Sequence, residues 1–382
     1  MEKKIKVLIV CDWYEPGYKA GGPIQSCKNI VAALNNRYQF YILTSDRDLG
    51  DNQSYTGIVT DQWVKGNNNA TIWYSSPGLL NRENFLNLIK EVNPQIVYFN
   101  SMFSQQYTIM PVRALMQSRF AGKMILSPRG MLQAGAMQRK TLKKTLFLKL
   151  FKWLGWNKRI TFHATDEQEK LDILSFFPGQ AVVVADNIPG VNKLAWKNRQ
   201  KNQGELRTVF ISRVHPKKNL HFMLEVLKTI NSKGNFILDI YGEEDDSQYT
   251  AKCKSLASQL PEFIQVNFNG ALPHNRVFDV LSEYHLFLLP TLGENFGHAI
   301  YEAMSSGCPV LISNKTPWQN LDKHFAGFDL PLEDSSKYQS VLERFMSMSQ
   351  HEFDQWSAGS RKYADSFLQQ ADFERKYQVL FG

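Results

Sequence analysis

Short runs of branched and aromatic residues alternate with helical stretches along this chain, and the alternation happens twice over. That grammar limits the fold to a few architectures. The first half opens with "KIKVLIVCDW". Its apolar centre, Val7 to Val10, is too short for a signal-peptide core and is closed by Asp12, so it is a buried strand. A turn holding Gly21, Gly22 and Pro23 leads into the helix-like "IQSCKNIVAALNN". Strands at 39–45, 70–75 and 95–101 follow, with a helix at 82–92 and two further β-rich runs, "KMILSPR" and "RITFHAT". The second half repeats the pattern: strands at 207–214, 236–242, 264–270, 285–291 and 308–313, separated by helices at 220–232, 247–260 and 274–284. Strands alternating with helices make βαβ units and a parallel sheet. The predicted fold class is therefore α/β, with two Rossmann-like domains facing each other across a deep cleft and ligands held at the carboxyl ends of the strands.

Length agrees, since 382 residues exceed what one ordinary core supports. The stretch 185–206 is polar and aperiodic and carries Pro189 and Gly190, which marks a linker. The expected division is an N-terminal domain over 1–188, a linker over 189–206, a C-terminal domain over 207–365, and a terminal helix over 366–382 packing back on the N-terminal domain. No uncharged apolar run approaches the ~20 residues of a membrane-spanning helix. Cys11, Cys27, Cys253 and Cys308 are scattered, with no C-x-x-C pair or His cluster at metal spacing, which suits a reducing cytoplasm. Cys308 is expected to be a packing residue.

Charge is uneven. The chain carries a net +8, yet twelve Lys and Arg and no acid lie between Glu91 and Asp166, leaving −4 for the remainder. Local charge implies a local partner.

Two constellations carry chemistry. In "FISRVHPKKNL", Arg213 follows a strand and Lys217 and Lys218 precede a helix, where unpaired N–H groups and the positive dipole end favour phosphate. In "GENFGHAIYEAMSSGCPV", Glu294 and Glu302 stand eight positions apart around Phe296, Gly297, His298 and Ala299. Taken alone, Glu294 is equally explained as a charge favourable to a helix dipole and Glu302 as a solvated face residue. A glycosidase pair is disfavoured, because neighbours on one strand-loop-helix corner do not flank a sugar from opposite sides.

Together these motifs resemble the retaining glycosyltransferases of family 4, which have the GT-B fold. The match lies in Arg213-x4-Lys218, Glu294-x7-Glu302, the glycine-rich "YKAGGPIQS" and "TPWQNL" (316–321). The resemblance implies that Arg213 and Lys218 hold the donor's diphosphate and stabilise the departing nucleotide. It implies that Glu302 accepts hydrogen bonds from the ribose hydroxyls and that Glu294 binds hydroxyls of the donor sugar. Backbone N–H groups around Phe296, Gly297, His298 and Ala299 would face phosphate or sugar. Gly21 and Gly22 would lie on the acceptor side of the N-terminal domain. Where relatives carry a strand-end His-Gly, this chain has Arg129-Gly130, so Arg129 is expected to bind phosphate, with His163 as a further acceptor-side candidate. None of these roles needs a metal, and no Asp-x-Asp pair is expected to hold one. No cofactor is expected; the nucleotide-sugar, UDP- or GDP-linked, is the substrate.

The basic stretch 137–159 places Leu142, Leu146, Phe147, Leu150, Phe151 and Leu154 on one helical stripe, with Lys140, Lys143, Lys144, Lys149 and Lys152 off it. Such a helix, with Trp153 and Trp156, suits an anionic membrane surface. The expectation is therefore a cytoplasmic enzyme, peripheral at the inner membrane face, acting on a lipid-linked saccharide acceptor in O-antigen, capsule or exopolysaccharide synthesis. No nucleic-acid partner is expected, because no recognition motif accompanies the cations. One rival is a non-catalytic basic membrane-binding protein retaining the fold. A dinucleotide oxidoreductase is disfavoured, since no G-x-G-x-x-G follows either first strand.

Overall fold

The computed structural model describes residues 4–137, 141–192, 198–231 and 234–382. Contacts divide the chain into one unit of residues 1–188 with 372–382, and a second of residues 189–371.

The first unit is built on β1 (Ile5–Val10), β2 (Tyr38–Ser45), β3 (Trp63–Lys65), β4 (Thr71–Ser75), β5 (Ile96–Phe99), β6 (Lys123–Leu126), β7 (Ile160–Ala164) and β8 (Val182–Val184). The sheet order is β3-β4-β2-β1-β5-β6-β7-β8, parallel except for the β3–β4 edge pair. The helices are α1 (Gly22–Leu34), α2 (Arg82–Val92), α3 (Met110–Gln117), α4 (Ala134–Met137), α5 (Thr141–Trp153) and α6 (Glu167–Phe176). Central strands such as "VLIV" and "IVYF" are apolar on both faces because helices cover both, so alternation is absent there.

The second unit contains β9 (Glu205–Ile211), β10 (Asn235–Tyr241), β11 (Ile264–Phe268), β12 (Leu286–Leu289), β13 (Val310–Ser313) and β14 (Gly327–Leu330), in the order β11-β10-β9-β12-β13-β14, all parallel. Its helices are α7 (Leu220–Leu227), α8 (Ser247–Ala257), α9 (Val277–Leu281), α10 (His298–Ser305), α11 (Ser335–Ser347) and α12 (Gln350–Gln370). The order reverses between β9 and β12, and ligands of open α/β sheets bind at the carboxyl ends of the strands at such a switch point.

Two boundaries differ from expectation. The stretch 189–206 is not a free linker in its described residues: β9 already begins at Glu205, and Arg199 and Lys201 are buried in the second unit. Arg199 donates to the carbonyls of Ser282 (2.7 Å), Gly307 (2.5 Å) and Ser306, at the ends of α9 and α10. A cation there meets the negative dipole ends and satisfies carbonyls with no intrahelical partner. Polarity in this stretch therefore signals helix capping, not solvation. The terminal segment is also not one helix. α12 runs through to Gln370 and stops near Ala371, and α13 (Phe373–Phe381), capped by Asp372, lays Tyr377, Leu380 and Phe381 into the core of the first unit.

Helix α5 corrects the expected stripe. Phe147 packs edge-on against Phe103 with 5.7 Å between ring centroids, and Phe151 packs against Phe177 and Trp156. Leu148 is buried beside them, whereas Leu142, Leu146, Leu150, Trp153 and Leu154 are exposed. The run of apolar residues is thus two faces, one for the core and one for solvent. Lys144 turns inward, donating to the Ala136 carbonyl at 2.5 Å and lying over the Phe103 ring. Lys140 lies outside the described residues. Among the described residues, no helix is long and apolar enough to cross a membrane.

Candidate functional site

The switch point of the second unit gathers the charged residues singled out in the sequence. β9 leads through Ser212 and Arg213 to a 3-10 turn, Pro216–Lys218, opened by His215, whose ring nitrogen accepts the Lys217 N–H at 3.1 Å. Asn219, at φ +59, turns the chain into α7. The neighbouring β12 is followed by Pro290, and its exit loop is tied back to this turn by Leu292 N–H donating to the Lys217 carbonyl at 2.8 Å. Two loops from adjacent strands are thereby fixed against each other, and their side chains meet.

Lys218 Nζ donates to Glu294 Oε1 at 2.5 Å, with the two side chains only 16% and 12% exposed. The Thr291 hydroxyl lies 3.0 Å from the same oxygen. Burial pushes the Glu294 carboxyl up, but Lys218, Lys217 and Thr291 together outweigh it and hold the group below the usual carboxylate range. Burial lowers Lys217; Glu294 opposes that, and Lys218 and Arg213 add to it, so the three cations lie within electrostatic reach of one another. Arg213 itself pairs with Asp245, beyond β10, at 2.8 Å and stays partly exposed.

After Glu294 the chain makes a left-handed turn at Gly297 (φ +76), which has no side chain to cap the helix, and enters α10. The left-handed conformation favours glycine here; a Cβ would also stand 2.7 Å from Ile300 Cδ1, the tip of a side chain that can shift. Phe296 does not offer its ring to a ligand. The ring is buried against Trp318, Tyr301 and Phe367, and its carbonyl accepts the Trp318 indole N–H at 2.5 Å. That is the work of "TPWQNL": Trp318 anchors the loop from beneath. His298 packs on Phe296 with 4.8 Å between centroids, and Ala299 is partly buried.

Glu302, one turn into α10, is buried, contrary to a solvated face residue. Its Oε1 accepts from His274 Nε2 at 2.8 Å. His274 opens a 3-10 turn, His274–Arg276, ahead of α9. Sequence reasoning missed His274, Asp245 and Thr291. His274 and Glu302 are 28 positions apart and meet only because α9 packs on α10.

In the first unit, Gly21 (φ +66) caps α1, and the loop before it is held by Asp48, whose Oδ2 accepts the N–H groups of Tyr18 (2.7 Å) and Lys19 (3.0 Å). Gly22 is the first residue of α1. Asp46-Arg47-Asp48 is an Asp-x-Asp pair, against the expectation that none exists. Asp46 pairs with Arg47 at 2.8 Å and Asp48 with backbone amides, so both carboxylates are taken. Among the described residues, no group of three or more His, Cys, Asp or Glu is placed to hold a metal ion. The four cysteines are free and buried, and burial pushes the Cys308 thiol up to about 12.

Arg129 and His163 belong to one internal network, and its geometry redirects both expectations. Arg129 Nε donates to Asn100 Oδ1 at 2.7 Å and Nη2 to the Tyr98 hydroxyl at 2.8 Å, and Nη1 donates to Asn187. The Tyr98 hydroxyl is 2.8 Å from His163 Nδ1, and His163 Nε2 is 2.8 Å from the Ala185 carbonyl. A carbonyl only accepts, so Nε2 carries the proton and Nδ1 accepts from Tyr98. Burial, aided by Arg129, holds His163 down at about 3, so the ring is neutral and fully employed. Glu169 staples the Arg129-Gly130 turn, accepting from Gly130 N–H at 2.6 Å and from Thr165 N–H and hydroxyl at 2.8 Å. Arg129 stands at φ +54, a left-handed conformation that such a network sustains. Asn100 also donates to the Pro23 carbonyl at 3.1 Å, linking Arg129 to the Gly21-Gly22 turn. Arg129 is thus tied to Asn100, Tyr98 and Asn187, which bind its loop into the first unit.

Residues 192–355 match the family model described as glycosyl transferases group 1. No curated protein gives a match. Among solved structures, HepE from Anabaena, in complex with UDP and glucose, superposes with a TM-score of 0.71 at 13% identity, covering 98% of each chain. Sucrose-phosphate synthase from Thermosynechococcus elongatus gives 0.72 at 15% identity over 99% of each. WaaG, a glycosyltransferase involved in lipopolysaccharide biosynthesis, gives 0.63 at 13% identity over 96% of each. The likeness establishes the fold as GT-B.

Proposed function

We propose that this protein is a metal-independent, retaining glycosyltransferase of family 4. It would move a sugar from a nucleotide-sugar donor to a lipid-linked saccharide acceptor in the synthesis of a surface polysaccharide. The observation that carries the reading is the cluster at the β9–β12 switch point, where Lys218 and Lys217 face Glu294, Arg213 lies beside Lys217, and Glu302 stands on α10. Three cations against Glu294 and the Asp245 carboxylate leave one positive charge in excess, and the diphosphate of a sugar nucleotide answers it. HepE binding UDP and glucose supports a nucleotide-sugar donor. WaaG supports the polysaccharide setting.

In this reading Arg213 and Lys218 stabilise the charge that develops on the departing nucleotide diphosphate. Lys218, little exposed and held by Glu294, acts there without reorganising. Glu294 sets the position of Lys218 and presents its second oxygen to donor-sugar hydroxyls. Glu302, aimed by His274, accepts from the ribose. The start of α10 presents its positive dipole end to phosphate or sugar.

A thermal-shift series with UDP, GDP and their sugars tests this, because a bound nucleotide stabilises by mass action. One base should raise the melting temperature. Glu302→Ala should weaken that shift, and Arg213→Ala should slow transfer by at least about tenfold with donor affinity less changed. Wild-type turnover in both variants would remove the site assignment.

A further inference from the structure

We infer that the outer face of α5 is a docking surface for an anionic lipid bilayer. Leu142, Leu146, Leu150 and Trp153 follow one another at spacings of four, four and three, which places them on one side of the helix. They are 88%, 69%, 48% and 81% exposed. Single exposed leucines are ordinary, but a contiguous row of this kind on a helix already anchored by its opposite side marks an interaction surface. The anchor is Leu148 and Phe151, buried in the first unit's core, so the row is left over after folding and not needed for it.

Charge decides the occupant. Lys143 borders the row on one side and Lys149 and Lys152 on the other, all three exposed. Among the described residues, none of them has a carboxylate within ion-pair distance. A second copy docking through this face would bring lysine rows together. A nucleic-acid backbone would answer the lysines but leave the leucines in water. A bilayer with acidic headgroups answers both: the apolar row enters the headgroup–acyl boundary, the lysines stay at phosphate level, and Trp153 sits where an amphipathic indole is favoured. Lys144, turned inward to Ala136, is excluded from the face.

Flotation of the full chain with vesicles of phosphatidylcholine alone, or mixed with phosphatidylglycerol, tests this, since it needs neither donor nor acceptor. The chain should float with the mixed vesicles and not with phosphatidylcholine, and added salt should release it. Lys143→Gln/Lys149→Gln/Lys152→Gln should weaken binding on the order of 100-fold, from the usual contribution per juxtamembrane lysine. Leu142→Ser/Leu146→Ser/Trp153→Ser should abolish it with an unchanged melting temperature, as these side chains are exposed, and Lys144→Gln should keep it. Failure to float with mixed vesicles, equal flotation on both, or retention by the serine variant overturns the inference. So does a serine variant that changes only the sedimentation mass, which would make the face a contact between copies. Loss of vesicle binding leaves the donor site untouched, and loss of donor binding leaves this surface untouched, so the two readings fail separately.

Discussion

Replacing Lys218 by Met should destabilise the second unit in a way that reports directly on Glu294. The variant keeps most of the side-chain volume and removes the charge, leaving a nearly buried carboxylate without its 2.5 Å partner. Breaking a buried pair costs about 3–5 kcal/mol. Lys217 and the Thr291 hydroxyl still face the carboxylate, which places the loss near the lower end, about 3 kcal/mol at pH 7. The sign with pH follows. In the wild type, Glu294 is held below its unfolded value near 4.3, so its stabilisation is present above that pH and is lost as pH falls through the folded value. Without Lys218 the burial contribution dominates and the folded value rises above the unfolded one. The variant's penalty is then relieved on acidification, and the gap to wild type narrows from pH 7 toward pH 4. Hydrogen exchange of peptides covering residues 286–297 across a urea series reads this unit apart from the other. Lys218→Met/Glu294→Gln should recover to within about 1 kcal/mol of wild type, since neither charge remains to be buried alone. A gap below about 0.5 kcal/mol, or one indifferent to pH, would refute the pairing as the organiser of this corner.

His163 gives a second pH signature, in the first unit. Its folded value of about 3 lies below the unfolded 6.5, so the unfolded chain takes up the proton and the wild type loses stability as pH falls below about 6.5. His163→Gln lacks that loss, so its deficit at pH 7 should shrink by roughly 2 kcal/mol at pH 5 in denaturant melts; a constant deficit would mean the ring is not held neutral. Gly297→Ala should cost the second unit about 1–2 kcal/mol for its left-handed conformation and should weaken nucleotide binding with it. A melt and a titration that both match wild type would show the turn is not strained.

Much of the candidate site was legible in the sequence because its residues lie on continuous motifs. Arg213, Lys218, Glu294 and Glu302 each stand at a fixed offset from a strand end, and strand ends are readable from apolar runs and the turn residues that close them. The short strands β3, β8 and β14 carry too few residues to show a period, and none was anticipated. The sequence shows the terminal helix but not its break at 371, because Ala371-Asp372 carries no Gly or Pro to mark it.

The sequence by itself determined the class of fold, the repeated βαβ grammar and the identity of the charged residues at the second unit's switch point. Those follow from local chemistry: branched residues in strands, glycine where φ is positive, cations before a helix start. Tertiary structure decided what each charge is for. Arg199 looked like linker polarity and caps two helices; Arg129 and His163 looked like ligand groups and are spent on Asn100, Asn187, Tyr98 and Ala185. It also divided the apolar residues of α5 between core and solvent, and joined His274 to Glu302. The reason is that spacing fixes a side chain's direction only relative to its own element. Which partner it meets depends on packing between elements, and that information is distributed over the whole chain.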